Sequence, residues 1–550
     1  MFKNMLKNKK EIINKMFIIA LSIFILMQPF LELMFFHKPN YPKAYGLKLA
    51  TFIRIIVFGI VVVLFLLTNQ LEKKHIKYWM VYIGLICIYL IGNRINSKRF
   101  YSFNPTGFNY SFKGEIFYLI RMLMPIITIF MIYYSNISKK QMNNIIIGVS
   151  LLISLNVILS NILKLGYPTY SHGKIEYTIF DWFSGKADME PYLLSTRGFF
   201  HDPILSIALV STLPYLIYLY IKDRKPYKAV IFILSIIALV MMGTYASTFS
   251  TIIVLSIMLL VFVSKLLIER FIIKNKKYSN KNTYITVSVL TVLMILNAIL
   301  VVKSPALLKK SFDREQMQLA EKEYMREGNK EKIDEEKVFA MTREEQIKFF
   351  EERYKEVGFN PDFIHTFYSF KYDPEFWIDQ MKKRSFEARR DQRSVEKDMF
   401  ERVSKVSNNK GDIIFGMGFS RASNVFTLER DFLYQYYSVG IFGTILILGP
   451  YIAMLFAGII LILKQGITNF SVKTNALVLS SGLTLCLAGY SGNTVENLGI
   501  STIMALNYGL LLKNIYANKY LLKTKDKEKE TERITKEEKE KVKKQKVKNK

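Results

Sequence analysis

The stretch GDIIFGMGFSRASNVFTLERDFLYQYYSVGIFG, Gly411 to Gly443, joins a long charged segment to a hydrophobic helix through glycines, an arginine and a Glu-x-Asp pair. The apolar run it leads into, Tyr437 to Leu463, is long enough to cross a bilayer as a helix. Runs of this kind recur along the chain. They do not show the amphipathic spacing of a soluble helix, and 51% of all residues are hydrophobic although the formal charge is +31. We read about twelve spans: Ile13 to Phe36, Gly46 to Thr68, Ile76 to Gly92, Ile116 to Ser135, Met142 to Leu163, Ile204 to Ile221, Tyr227 to Gly243, Phe249 to Leu267, Tyr284 to Val302, Tyr437 to Leu463, Ala476 to Tyr490 and Leu498 to Tyr516. The first follows a lysine-rich start, but it is too long for a signal peptide, lacks a small-residue cleavage pattern and is followed by further spans. The expected fold is an all-α integral membrane protein.

Basic residues in short connections are retained on the cytoplasmic side, and this orients the bundle. Lys73, Lys74 and Lys77, then Lys139 and Lys140, then Lys222, Arg224, Lys225 and Lys228, then Arg270, Lys274, Lys276 and Lys277 all fall on even-numbered connections. The N-terminus is therefore expected inside, and an even number of spans returns the C-terminus to the cytoplasm. Arg94, Lys98 and Arg99 run against this scheme. The localisation expected is the cell membrane, multi-pass.

The domain plan that follows is spans 1–9 over residues 1–302, with an external loop near 164–203. A large extracellular loop follows at 303–427, then spans 10–12 over 428–518, and a cytoplasmic Lys/Glu-rich tail over 519–550. The large loop repeats apolar residues at three- and four-residue spacing, as in REEQIKFFEERYKEVGFNPDFIHTFYSF and QRSVEKDMFERVSKV. It should hold several amphipathic helices, broken at Asn360-Pro361 and Asp373-Pro374. The tail has almost nothing to bury and reads as a solvated extension, with attraction to anionic lipids as the functional alternative. Nucleic acid is not an expected partner, because the basic excess sits largely at membrane edges.

Cys87 and Cys486 both lie in predicted spans, no His/Cys cluster has zinc spacing, and no phosphate-binding glycine loop or Asp-x-Asp pair is present. No metal site and no cofactor is expected. Four constellations remain. Arg197 and Asp202, in STRGFFHDP before the sixth span, pair an arginine suited to bidentate phosphate binding with a carboxylate that would equally tie it down at the interface. The basic stretch KKRSFEARRDQR offers Arg389, Arg390 and Arg393 as further anion ligands, against the plain reading of a solvated face. Glu429 and Asp431 flank Arg430; on a helix residues two apart point roughly 200° from each other, whereas on an extended segment they share a face, so if the region is already helical one carboxylate faces a substrate, with Asp431 sharing its face with Tyr434 and Gln435. A carboxylate there suits general-base work on a sugar hydroxyl, the alternative being an interfacial salt-bridge cluster. Arg54 and Arg121 sit inside spans, where charge normally faces a cavity or a partner; Arg121 could line a cavity open to the outside or pair with Glu115.

Together, about twelve spans, R-G-F-F-x-D-P ahead of the middle spans, one large late loop, then G-M-G-F, E-x-D and Y-x-x-G-I-F-G resemble the O-antigen ligase and polymerase superfamily, over most of Tyr192 to Tyr516. The resemblance implies a metal-independent glycosyltransferase of the helical membrane fold called GT-C. It would act on the outer face and use an undecaprenyl-diphosphate-linked oligosaccharide as donor. The implied partners are that lipid-linked glycan, membrane lipids and other polysaccharide assembly proteins. Two departures stand out: GTYASTFS has no arginine where many members open the eighth span with a serine-arginine pair, and Glu429 and Asp431 stand where the ligase branch carries a histidine. The Glu-x-Asp form resembles capsule or exopolysaccharide polymerases. The expected chemistry is donor diphosphate on Arg197 and Arg393, with Arg389, Arg121, Asp202 and Tyr434 as further substrate-binding residues. Glu429 or Asp431 takes the acceptor proton, and Trp182, Tyr372 and Trp377 stack on sugars. Ligase-like transfer to another acceptor, and a transporter of lipid-linked oligosaccharide or polysaccharide, are the competing functions.

Overall fold

The computed structural model describes residues 2–37, 48–104, 109–170, 173–184, 193–272, 281–326, 333–360, 363–390, 392–425, 428–467 and 469–518. The basic tail, the proline of the Asn360-Pro361 break and the side chain of Arg390 lie outside the described residues. Among the described residues ten helices are long and apolar enough to cross a membrane: Leu49–Leu67, Lys73–Ser97, Phe112–Tyr134, Lys139–Ile162, Pro203–Asp223, Tyr245–Phe271, Thr283–Glu315, Asp431–Gln465, Val472–Tyr490 and Leu498–Asn518. Two further apolar helices, Phe2–Leu26 and Pro226–Met241, pack into the same bundle, the first against Leu49–Leu67 and the second against Lys139–Ile162. Each of the twelve expected runs is thus helical, and the protein is an all-α membrane protein. The physical reason is local: in hydrocarbon a helix satisfies every backbone N–H and C=O within its own segment.

The boundaries differ from expectation at two places. The first span stops at Leu26 and not near Phe36, because Pro29 opens a separate one-turn helix, Gln28–Leu31, and the Gln28 side chain bonds back to the Phe24 carbonyl at 2.7 Å. The tenth starts at Asp431, six residues before the apolar run.

The odd-numbered connections meet at one end of the bundle. Met34 N–H donates to the Phe199 carbonyl at 2.9 Å, tying the first connection to the fifth; the Thr169 hydroxyl reaches the Met242 carbonyl at 2.7 Å, tying the fifth to the seventh. A Cβ on Gly243 would lie 2.5 Å from that of Ser195 and 3.1 Å from that of Pro305, so the ninth connection closes on the same point. The described residues pair two short strands there, Tyr167–Pro168 antiparallel to Thr196–Gly198.

The ninth connection carries a second hydrophobic core, with Phe350, Phe370, Trp377, Met399 and Phe400 fully buried in it. The two amphipathic segments form Arg343–Arg353 and Gln392–Ser407. At Asp373-Pro374 the expected break is the start of a helix, Pro374–Lys383: Asp373 caps it by accepting from Phe376 N–H at 3.2 Å and also binds Arg402 through both oxygens at 2.9 and 3.0 Å.

Gly411 to Gly443 doubles back on itself. Gly440 adopts φ 68°, ψ −178° within the tenth span, a conformation open in practice to glycine alone. The helical bonds that would cross it are lost, so carbonyls before it need new donors. Met417 and Gly418 supply them, donating to Tyr437 and Ser438 at 3.0 and 2.9 Å. Gly416, at φ 74°, brings its backbone against Ser438 where a side chain would collide. Glu115 then anchors the far side, accepting from Phe419 N–H at 3.0 Å, Ser420 N–H at 2.8 Å and the Ser420 hydroxyl at 2.6 Å. Arg421, within the same stretch, donates to the carbonyls of Met417 and Ser97.

Candidate functional site at the loop-bearing end of the bundle

Arg430 is extended, φ −146°, ψ 100°, immediately before the tenth span, and bridges to Gly492 in the connection Ser491–Asn497. Glu429 and Arg430 precede the helix, so the two carboxylates part at the junction between extended chain and helix and not through helical spacing. Glu429 is half exposed and takes Arg393 in a fork, Nε at 2.8 Å and Nη2 at 2.6 Å to one oxygen. Asp431 is fully buried; its Oδ2 accepts from Val495 N–H at 2.9 Å, with the N–H groups of Thr494 and Glu496 alongside. Tyr434 and Gln435 share its buried face, as expected.

Around Glu429 the surface is aromatic and charged. Burial pushes the Tyr170 phenol up to about 12, Tyr245 adds to the shift and Arg393 opposes it, with Asp313 and Glu429 also in range. Lys309 lies over the Tyr170 ring, 4.5 Å from its centre. Four separate segments therefore present Tyr170, Lys309, Arg393 and Glu429 in one place. The exposed ion pair contributes at most about 1 kcal/mol to stability, so either partner can exchange it for a ligand at little cost.

Arg197 sits on the strand Thr196–Gly198, whose partner strand leads to Tyr170 two residues on. Its half-buried guanidinium is shifted down by burial, with Asp202 opposing, and its Nε has no hydrogen-bond partner. Asp202 caps the lead-in to the sixth span at Ile204 N–H, 2.9 Å, and burial raises its carboxyl. Arg197 and Arg393 do not share a partner: the first faces Asp202, the second Glu429.

Arg121 does not pair with Glu115. Its Nη2 donates to the Glu496 carbonyl at 3.2 Å, and its Nη1 stands 4.0 Å from Glu496 Oε1. Arg54 is satisfied separately by Glu32 at 2.5 Å and Gln28 at 2.8 Å. Glu496 escaped the sequence reading because SGNTVEN reads as a plain polar turn; an acid in so short a link between two spans was the available signal.

Arg389 is held inside the loop domain by Glu335, at 2.9 and 3.1 Å, and by the carbonyls of Met381 and Val357. Trp182 and Trp377 do not stack on a sugar: both are buried, and each indole N–H is given to a backbone carbonyl, at 3.4 Å to Leu194 and 3.0 Å to Tyr368. Tyr372 remains exposed. Among the described residues no three His, Cys, Asp or Glu side chains converge as a metal-binding set.

The family described as O-antigen ligase like membrane protein matches residues 14–518, spanning all twelve helices and the loop domain between the ninth and tenth. No curated protein matches the chain.

Proposed function

The chain belongs to the O-antigen ligase like membrane proteins, and from that premise of glycan transfer at a membrane we propose that it polymerises undecaprenyl-diphosphate-linked oligosaccharide repeats into a surface or capsular polysaccharide. The reaction takes place on the outer face of the plasma membrane, both termini being cytoplasmic. The observation that carries this reading is the exposed Glu429–Arg393 fork at the mouth of the tenth span. It sets a general base and a phosphate ligand side by side.

In the reaction the acceptor hydroxyl gives its proton to Glu429. Its oxygen bonds to the donor's anomeric carbon, and the bond from that carbon to the diphosphate oxygen breaks. Arg393, freed from Glu429 as substrate enters, then meets the negative charge building on the leaving diphosphate, with Arg197 and Arg121 as further ligands. A planar guanidinium binds phosphate in two places and never loses its proton in the process. Asp431 is sealed from solvent and acts by fixing the Ser491–Asn497 connection. Arg389 supports the loop domain that carries Arg393, while Asp202 and Tyr434 shape the surroundings of Arg197 and Arg121.

The test is replacement in a producing strain. Glu429→Gln removes the base and is expected to lower chain extension by about 10²–10⁴-fold, with single lipid-linked repeats accumulating on the outer face. Arg393→Gln should do the same through weaker donor binding. Polymer of normal length in both variants refutes the proposal. Repeats trapped inside would indicate transport, and a finished polymer left unattached would indicate ligation.

A further inference from the structure

The connection Ser491–Asn497 touches three spans at once: Arg121 on the fourth, Ile204 at the start of the sixth, against which any side chain on Gly492 would collide, and Glu429 to Asp431 at the tenth. Within it the charges do not balance. Asp431, fully buried, and Glu496, whose side chain keeps 12% of its surface exposed, lie within electrostatic range of each other, and Arg121 is the cation beside them. Arg54, a guanidinium within electrostatic range of Arg121, is already committed to Glu32. Asp431 Oδ1, Glu496 Oε2, Thr494 Oγ1 and Arg121 Nε are all buried without a hydrogen-bond partner, although Asp431 and Thr494 have no exposed surface at all. The other titratable groups facing Glu496 are the phenols of Tyr118 on the fourth span and Tyr434 on the tenth. Two carboxylates with one guanidinium leave a net negative charge largely removed from water, and such a charge is avoided by taking up a proton; backbone N–H groups stabilise Asp431 as a carboxylate whereas Glu496 Oε2 has no donor, so the proton falls to Glu496.

We propose that Glu496 is a positioning residue for Arg121: it holds the arginine by its backbone carbonyl while its carboxyl carries the missing proton, leaving the guanidinium free to bind an anionic diphosphate. The inference rests on the reading of Arg121 as a diphosphate ligand. Three observations fit it. The contact between Arg121 and the Glu496 carboxyl is loose at 4.0 Å, whereas the contact to its carbonyl is a hydrogen bond at 3.2 Å. The Arg121 side chain keeps 23% of its surface exposed, so a ligand can reach it. Burial raises the Glu496 carboxyl more than Arg121 lowers it. When the pH rises far enough to strip the proton, the carboxylate competes with the ligand for Arg121, and anion binding weakens.

Glu496→Gln imitates the protonated acid permanently. Binding of inorganic pyrophosphate to the purified full-length protein should weaken by tenfold or more on going from mildly acid to alkaline pH, and in Glu496→Gln it should stay at the acid-side value throughout. An identical pH profile in the two proteins overturns the inference. The wild-type protein supplies a second readout that needs no variant: the infrared carbonyl-stretch band of a buried protonated carboxylic acid should be present near neutral pH and vanish as pH rises. Absence of that band overturns the inference even if the variant does not fold. Pyrophosphate that binds at no pH, with the band present, counts against the diphosphate reading of Arg121 and leaves the protonated Glu496 standing.

Discussion

Gly440→Ala tests the interlock on which the whole site is mounted. At φ 68°, ψ −178° an alanine is in a region that costs roughly 1–3 kcal/mol to hold. Its Cβ would also collide with backbone atoms of Ile414 and Gly416, which cannot swing aside as a side-chain end could. The Gly416–Gly418 segment must therefore lift away, giving up the bonds from Met417 and Gly418 to Tyr437 and Ser438, each worth about 0.5–1.5 kcal/mol net. Together these effects amount to about 3 kcal/mol, and at 1.4 kcal/mol per tenfold the undocked segment becomes about a hundredfold more populated. Hydrogen exchange read by mass spectrometry on peptides spanning residues 411–418 should speed up by about that factor, and polymer synthesis should fall with it. Gly449→Ala is the control in the same helix. Its Cβ would meet only the Ile445 side chain at 3.7 Å, so a change within about 1 kcal/mol is expected. Equal protection of the segment in wild type and Gly440→Ala would refute the reasoning.

Two other predictions concern the surroundings of the site. Asp373→Ala removes the partner of the partly exposed Arg402, removes the cap of Pro374–Lys383 and strands the Tyr368 hydroxyl, and should destabilise the loop domain by about 2–4 kcal/mol; thermal unfolding in detergent followed by tryptophan fluorescence checks this through the buried Trp377. Asp412 sits under the same segment as Gly416, and burial raises its carboxyl although Ser407, Asn96 and Asn409 donate to it. A raised folded value means the folded state holds the proton more tightly, so its stabilisation is greatest below the ordinary carboxylate range of about 4 and declines as pH rises from there through the raised value. Asp412→Asn should flatten that decline in a melting series across pH, and an unchanged slope would contradict it.

The spans were legible because the bilayer makes them a local property. A run such as Ile445 to Leu463 becomes a helix from its own length and apolarity, whatever packs beside it. The amphipathic repeats of the loop were legible for a similar reason, since apolar spacing reports which face is buried. Where the first span stops was misjudged, because Phe30 to Phe36 is apolar enough to continue a helix and only Pro29 and the fold of the first connection over the bundle end turn it away. Sugar stacking by Trp377 fails on burial: the sequence places it in a charged loop where a tryptophan would stand exposed, but the loop builds its own core around it.

By itself, then, the sequence determined a twelve-helix membrane bundle with a folded loop before the tenth span, and it marked Glu429, Asp431, Arg197 and Arg393 as chemically interesting. Tertiary structure decided what each of them faces. The fork of Arg393 on Glu429 joins residues 36 apart, the grip of Asp431 on Val495 joins residues 64 apart, and the bond of Arg121 to Glu496 joins residues 375 apart. No periodicity links such positions. A side chain's composition says what it can bind, but its partner depends on how twelve helices, each internally satisfied and indifferent to its neighbours' identity, come to rest against one another.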